Sequence, residues 1–304
     1  MKNASGDLQQ IAATPTTFQN AEAFGLAKVA KSPWQSFMLS IFAGAFIAIA
    51  FVFYITVTNG STMGWGMTRF IGGIAFSLGL ILVVVCGTEL FTSTVLTSIP
   101  WAQKKVKTAT QLRCWARVYA GNLVGALLMV FLIMSARMFE LNDGQWGLSA
   151  MKLAQHKIHH TWSQAFTLGI LCNMLVCLAV WMTFATKDLL TKSLLMILPV
   201  AMFVSSGFEH SIANMFMVPI GIAIHSFAPD SFYVALNLDP QQFADLTVSN
   251  FVFHNLIPVT LGNIVGGGVF VGIGFWLVEQ GKLTLGTDGA SHGTITSRVE
   301  PKND

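Results

Sequence analysis

Apolar residues run in six long blocks along this chain, at about 35–57, 70–99, 112–138, 162–184, 193–224 and 250–278, with short polar stretches between them. The blocks are apolar all round, and each reaches the ~20 residues that a helix needs to cross the hydrocarbon core of a bilayer. Inside lipid every backbone N–H and C=O needs an internal partner, so the blocks predict helices. Lipid-facing barrel strands would alternate polar and apolar residues, and these do not. The first 33 residues are polar, lack the charged-then-apolar pattern of a cleaved leader, and contain a short run at 24–30 suited to a helix lying along the membrane surface. From Lys282 onward Gly, Ser and Thr with scattered charge predict disorder. The expected division is an N-terminal segment 1–33, a six-span domain 34–279 and a tail 280–304.

Composition agrees with the pattern. Only 10% of the 304 residues are charged and mean hydropathy is +0.62, against roughly 25% charged in ordinary globular chains. That excludes a soluble enzyme and a secreted disulfide scaffold, and nothing points to nucleic acid. The four cysteines, Cys86, Cys114, Cys172 and Cys177, lie in or beside apolar segments and are expected as reduced thiols. Six spans place both ends of the domain on one side. That side carries 13 of the Lys and Arg residues and the other carries four (Arg69, Arg137, Lys152, Lys157), so the positive-inside rule puts both termini in the cytoplasm. Seven of the eight tryptophans, all but Trp146, flank span ends, as an interfacial belt requires.

The second and fifth blocks are interrupted. One reads Gly87-Thr-Glu89-Leu-Phe-Thr-Ser-Thr94 and the other Gly207-Phe-Glu209-His-Ser-Ile-Ala-Asn214, with Gly87/Gly207 and Glu89/Glu209 both 120 positions apart. A second shared phrase, Gly121-Asn-Leu-Val-Gly125 and Gly262-Asn-Ile-Val-Gly266, recurs at 141. Two related halves of three spans each must insert with opposite orientation, which predicts an inverted repeat whose two broken helices face each other at mid-membrane. The Gly-x-x-x-Gly pairs fit close helix packing. Packing does not explain Glu89, Glu209 and His210, because a charge at such depth costs about 3 kcal/mol or more without a partner or a wet cavity.

A carboxylate at a helix break can accept freed backbone N–H groups, the expected role of Glu89. Glu209 has the same option and can also orient or charge the adjacent His210. His210 is the sharpest candidate, since histidine can change charge near physiological pH. Thr92, Ser93, Thr94, Ser211 and Asn214 offer donors to an oxyanion or caps to the broken helices. Asn173 and Asn263 are equally suited to bridging helices. Phe76, Leu80, Leu90, Phe91, Val176 and Phe203 either face lipid or constrict a pore. The tract Gln155-His-Lys157-Ile-His-His160 fits an electropositive mouth better than a metal site, with a solvated helix start as the plain alternative. No metal or cofactor is expected.

Together the strings Ile49-Ala-Phe-Val-Phe-Tyr54, Glu89-Leu-Phe-Thr-Ser-Thr94, Tyr119-Ala-Gly-Asn-Leu-Val-Gly125, Gly207-Phe-Glu-His-Ser-Ile-Ala-Asn-Met215 and Asn255-Leu-Ile-Pro-Val-Thr260 resemble the formate–nitrite transporter family from about Ala27 to Glu279. The resemblance implies an all-α membrane protein, an aquaporin-like six-helix protomer in a homopentamer, set in a bacterial inner membrane and passing formate and related small anions. It implies that Thr92 and His210 line the pore centre, supported by Glu209, Asn173, Lys157 and Asn263. It makes Phe76, Leu80, Leu90, Phe91, Val176 and Phe203 the apolar constrictions, with Gly87, Glu89 and Gly207 shaping the breaks. A nitrite or hydrosulfide channel is the nearest alternative. A water or glycerol facilitator lacks its Asn-Pro-Ala signature here, and a membrane enzyme built on His210 and Glu209 lacks a nucleophile or cofactor motif. No ATP-binding loop is present, so passage is expected to be passive or proton-linked.

Overall fold

The computed structural model describes residues 16–281, and the expected tail beyond Gly281 lies outside them. Helix α1 (Thr17–Ala30) precedes α2 (Pro33–Thr58) and α3 (Trp65–Val85). After a break come α4 (91–102), continuous through a 3-10 turn, and α5 (Thr108–Ser135). The second half repeats the order with α6 (Gln145–Ile158), α7 (Trp162–Thr183), α8 (Leu189–Ser205), a break, α9 (Ser211–Phe227) and α10 (248–281), which contains two π-helical stretches. No strand occurs among the described residues. Among the described residues five helical segments are long and apolar enough to cross a membrane, while α8 and α9 are shorter apolar helices.

The halves correspond helix by helix, down to single hydrogen bonds. Asn122 of α5 accepts from Phe91 N (2.9 Å) and donates to the carbonyls of Ser40 and Glu89 (both 2.8 Å). Asn263 of α10 accepts from Ser211 N (2.9 Å) and donates to the carbonyls of Gly169 (2.8 Å) and Glu209 (3.0 Å). One asparagine per half therefore satisfies the polar backbone that each break exposes, as a buried backbone demands. The Gly-x-x-x-Gly pairs pack as expected: a Cβ on Gly125 would strike the Ile41 carbonyl, and one on Gly266 the Ile170 carbonyl. Tyr119 and Thr260, themselves equivalent, hydrogen-bond to each other (2.8 Å), so the relation between the halves passes between them.

The breaks fall at the expected residues, but the path of the chain through the first one differs from that expected. Twenty-one residues of α3 already reach about 31 Å, a full hydrocarbon thickness. The break therefore follows a complete span instead of dividing one. Gly87 turns the chain in a left-handed conformation (φ 66°), as Gly207 does in the second half (φ 74°), and residues 88–90 then lead back into the buried interior.

The N-terminal helix also differs. It buries Ala21, Gly25 and Lys28, with Gly25 set close to Pro100, and so packs on the protein beneath α4. Its counterpart is α6, which packs on α9. Of the expected belt, Trp34, Trp65, Trp101 and Trp162 are exposed, whereas Trp146 is buried and donates to Thr56 (3.1 Å). All four cysteines are free, and Cys86 is exposed.

Candidate transport site

The two breaks meet. His210 is the N-cap of α9, where its Nδ1 accepts from Ala213 N–H (3.0 Å). With that nitrogen used as an acceptor, the neutral ring carries its proton on Nε2. Nε2 lies 3.0 Å from Thr92 Oγ1 and donates to it, which leaves the Thr92 hydroxyl proton free for another acceptor. Two side chains steady Thr92 from behind, because its carbonyl accepts from Asn173 Nδ2 (3.0 Å) and from the Cys177 thiol (3.2 Å). Asn173 also donates to the Asn263 carbonyl (2.7 Å), linking α4, α7 and α10 around one point. Thr92 is wholly buried and His210 nearly so. Ser211 Oγ, beside this pair, is buried without a hydrogen-bond partner among the described residues.

A vestibule approaches from each face. The one on the α6 face is narrow, about 50 Å³, and is lined by Arg69, Phe76, His156, Lys157, Phe203 and His210, among others. The Phe203 ring stacks on His210 (6.1 Å between centroids) and meets Phe76 edge-on (6.0 Å). The vestibule on the α1 face is wider, about 430 Å³, with Lys28, Lys31, Lys192 and Glu89 in its wall. Leu80, Leu90 and Val176 are buried and line neither vestibule. Phe91 is set apart from the other apolar candidates. Its ring packs edge-on against Trp115 and Tyr119 of α5, in the wall of a lateral groove between α5 and α10.

Both carboxylates have work different from that expected. Glu89 accepts no freed backbone N–H; it binds the ammonium groups of Lys28 (2.6 Å) and Lys31 (2.8 Å). Glu209 does not hydrogen-bond to His210. It pairs with Lys157 (2.7 Å) and accepts from Asn214 (2.7 Å) and Asn255 (3.1 Å). The physical reason is shared: Asn122 and Asn263 already satisfy the breaks, so the carboxylates are free to neutralise buried lysines. Lys157 is correspondingly buried, not a solvent-exposed mouth charge. The histidine tract divides, with His159 paired to Asp245 and the His160 ring edge-on to His156.

Sequence reasoning missed Lys28 and Lys31 as partners of Glu89, and Asn255 as a partner of Glu209. The signal was present at a third offset. Lys28-Val-Ala-Lys-Ser-Pro-Trp-Gln35 and Lys157-Ile-His-His-Thr-Trp-Ser-Gln164 are 129 positions apart, and Ser32 and Thr161 each cap the following helix through the N–H of Gln35 and Gln164.

Two broken helices from opposed halves, meeting at a buried polar pair between two cation-lined vestibules, define a membrane transport protein. The model of the formate/nitrite transporter family matches residues 15–277. The chain is 53% identical to the formate channel FocA of Escherichia coli K12 over 85% of this chain and 91% of that one, and 46% identical to FocA of Haemophilus influenzae over 90% and 97%. A solved structure described as a pentameric formate channel with formate bound is similar at a TM-score of 0.75, with 54% identity, over 82% of this chain and 98% of that one. This chain belongs to the formate/nitrite transporter family.

Proposed function

We propose that the chain is a passive or proton-linked channel for formate and similar small monovalent anions, working as a homopentamer in the bacterial inner membrane with the α1 face cytoplasmic. Residues 34–279 form the conducting unit, residues 1–33 the cytoplasmic N-terminal segment and 280–304 a cytoplasmic tail, and the chain is not an enzyme. The observation that carries the proposal is the buried Thr92–His210 contact, formed by side chains from both halves (3.0 Å). Relatives named as formate channels, and a similar structure with formate bound, support the choice of anion.

Stripping water from an anion costs several kcal/mol, so an apolar constriction excludes a bare ion unless donors replace the lost shell. The free Thr92 proton is such a donor, in a position where the Phe76 and Phe203 rings narrow the approach. Donation of a proton by His210 requires its imidazolium form. That form places an Nδ1–H against the Ala213 N–H, so protonation loosens the cap of α9. Binding by Thr92 and opening of the first turn of α9 are thereby linked through one ring.

The test is saturable flux of formate, nitrite and hydrosulfide into liposomes holding the purified protein, at several pH values. Formate is expected to pass fastest per unit concentration. Preference for nitrite or hydrosulfide would assign the channel to that anion, and water flux without anion flux would overturn the anion reading.

A further inference from the structure

At the α1-face vestibule, Glu89 is held by two cations, Lys28 and Lys31. The 129-position relation carries Lys28 onto Lys157 and Lys31 onto His160. Lys157 holds Glu209 Oε1 at 2.7 Å, as Lys28 holds Glu89. His160 Nε2 faces the same Oε1 at 3.5 Å, and this shielded nitrogen has no hydrogen-bond partner among the described residues. The second cation of one vestibule is thus a lysine, charged at every physiological pH, while its equivalent in the other is a histidine, charged only when protonated.

We infer that His160 is the proton-dependent counterpart of Lys31: on acidification it closes onto Glu209, shares that carboxylate with Lys157, and turns this cluster in the α6-face vestibule from electrically balanced to net positive. The cluster Lys157–Glu209–His160 then matches the fixed surplus of Lys28–Glu89–Lys31. The charged and titratable groups around His160 fit this assignment. Glu209 faces it from the break before α9, and Lys157 and His156 lie in the last turn of α6, just before it in the chain. Arg69 of α3 sits in the same vestibule with His210, and Asp245 is occupied by His159. The α6 helix does not span the membrane. Burial, then the charges of His160 and Lys157, push His156 down from the ordinary histidine range.

The consequence rests on the proposed anion channel. A unit positive charge beside a narrow mouth raises the local anion concentration, so acid on the α6 face lowers the half-saturating formate concentration for entry from that face. Maximal flux belongs to the Thr92–His210 centre. At the distances involved the effect is about three- to ten-fold.

The test uses full-length pentamer in vesicles sorted to one orientation by an N-terminal tag, with pH varied on one face only and protein-free vesicles subtracted. In the parent, half-saturation for entry at the α6 face is expected to fall between pH 7.5 and 5.5. His160→Lys should give the low value at both pH values and His160→Gln the high value at both. Lys31→His should confer a similar pH dependence on entry from the α1 face, which the parent lacks. Any His160 variant that assembles yet keeps the parent's pH shift in half-saturation overturns the inference, as does a Lys31→His protein without a pH shift. Absence of formate flux in the parent would instead contradict the channel proposal itself.

Discussion

Lys157 and Glu209 form a buried ion pair whose two members have different fates when one is removed. Lys157→Ala leaves an uncompensated carboxylate in a site where Glu209 is wholly buried, a change that costs about 3–5 kcal/mol. The expected outcome is a protein that unfolds, or a proposed pentamer that dissociates, at lower temperature, seen by sizing after graded heating. Adding Glu209→Gln in the same chain should recover most of the loss. If Lys157→Ala melts like the parent, the pair does not bear on stability. The sequence exposed the two acids as anomalies, because charge in apolar surroundings stands out. It did not expose their partners, since Lys28 and Lys157 lie in polar stretches where a lysine needs no explanation.

Among the elements, the two breaks depend on asparagines that belong to other helices. Asn122→Ala leaves Phe91 N–H and the Ser40 and Glu89 carbonyls without that partner. Each unsatisfied buried group costs about 1–3 kcal/mol. Asn122→Ala and Asn263→Ala are therefore expected to destabilise similarly, and a large effect of one with none of the other would contradict the equivalence of the halves. Gly87→Ala isolates the backbone, because an added Cβ meets nothing within 4 Å and only the left-handed conformation resists it. A loss of about 1–2 kcal/mol is expected in thermal melts. The glycines and the repeat were legible as motifs at offsets of 120 and 141. The breaks were legible at Gly87 and Gly207, but their geometry was not, because hydropathy merges α3 with α4 into one block and hides a chain that crosses and folds back. The correspondence of α1 with α6 was hidden for another reason: neither is apolar enough to register as a span, and insertions change the offset to 129.

Exposed apolar side chains, among them Phe42, Phe131, Leu198 and Phe270, suit a protein set in lipid. Span parity puts α1 and the end of α10 on one face. Protease or label accessibility in intact cells is expected to find residues 1–33 and 282–304 inside and 225–249 outside; termini on opposite sides would break both the parity and the inverted repeat. The central claim, that formate crosses at the Thr92–His210 contact, is tested most directly by formate flux into liposomes with His210 replaced, measured from pH 5 to 8 with assembly checked by sizing. Asn is itself a good helix N-cap and keeps a polar group at the centre, so His210→Asn should stay open to formate and lose the acid-stimulated part of its maximal flux. His210→Phe loses cap and polar group together and should conduct formate poorly or not at all. A Phe variant that conducts like the parent would contradict the site, and an Asn variant that keeps the parent's acid stimulation and proton co-movement would contradict proton transfer by His210.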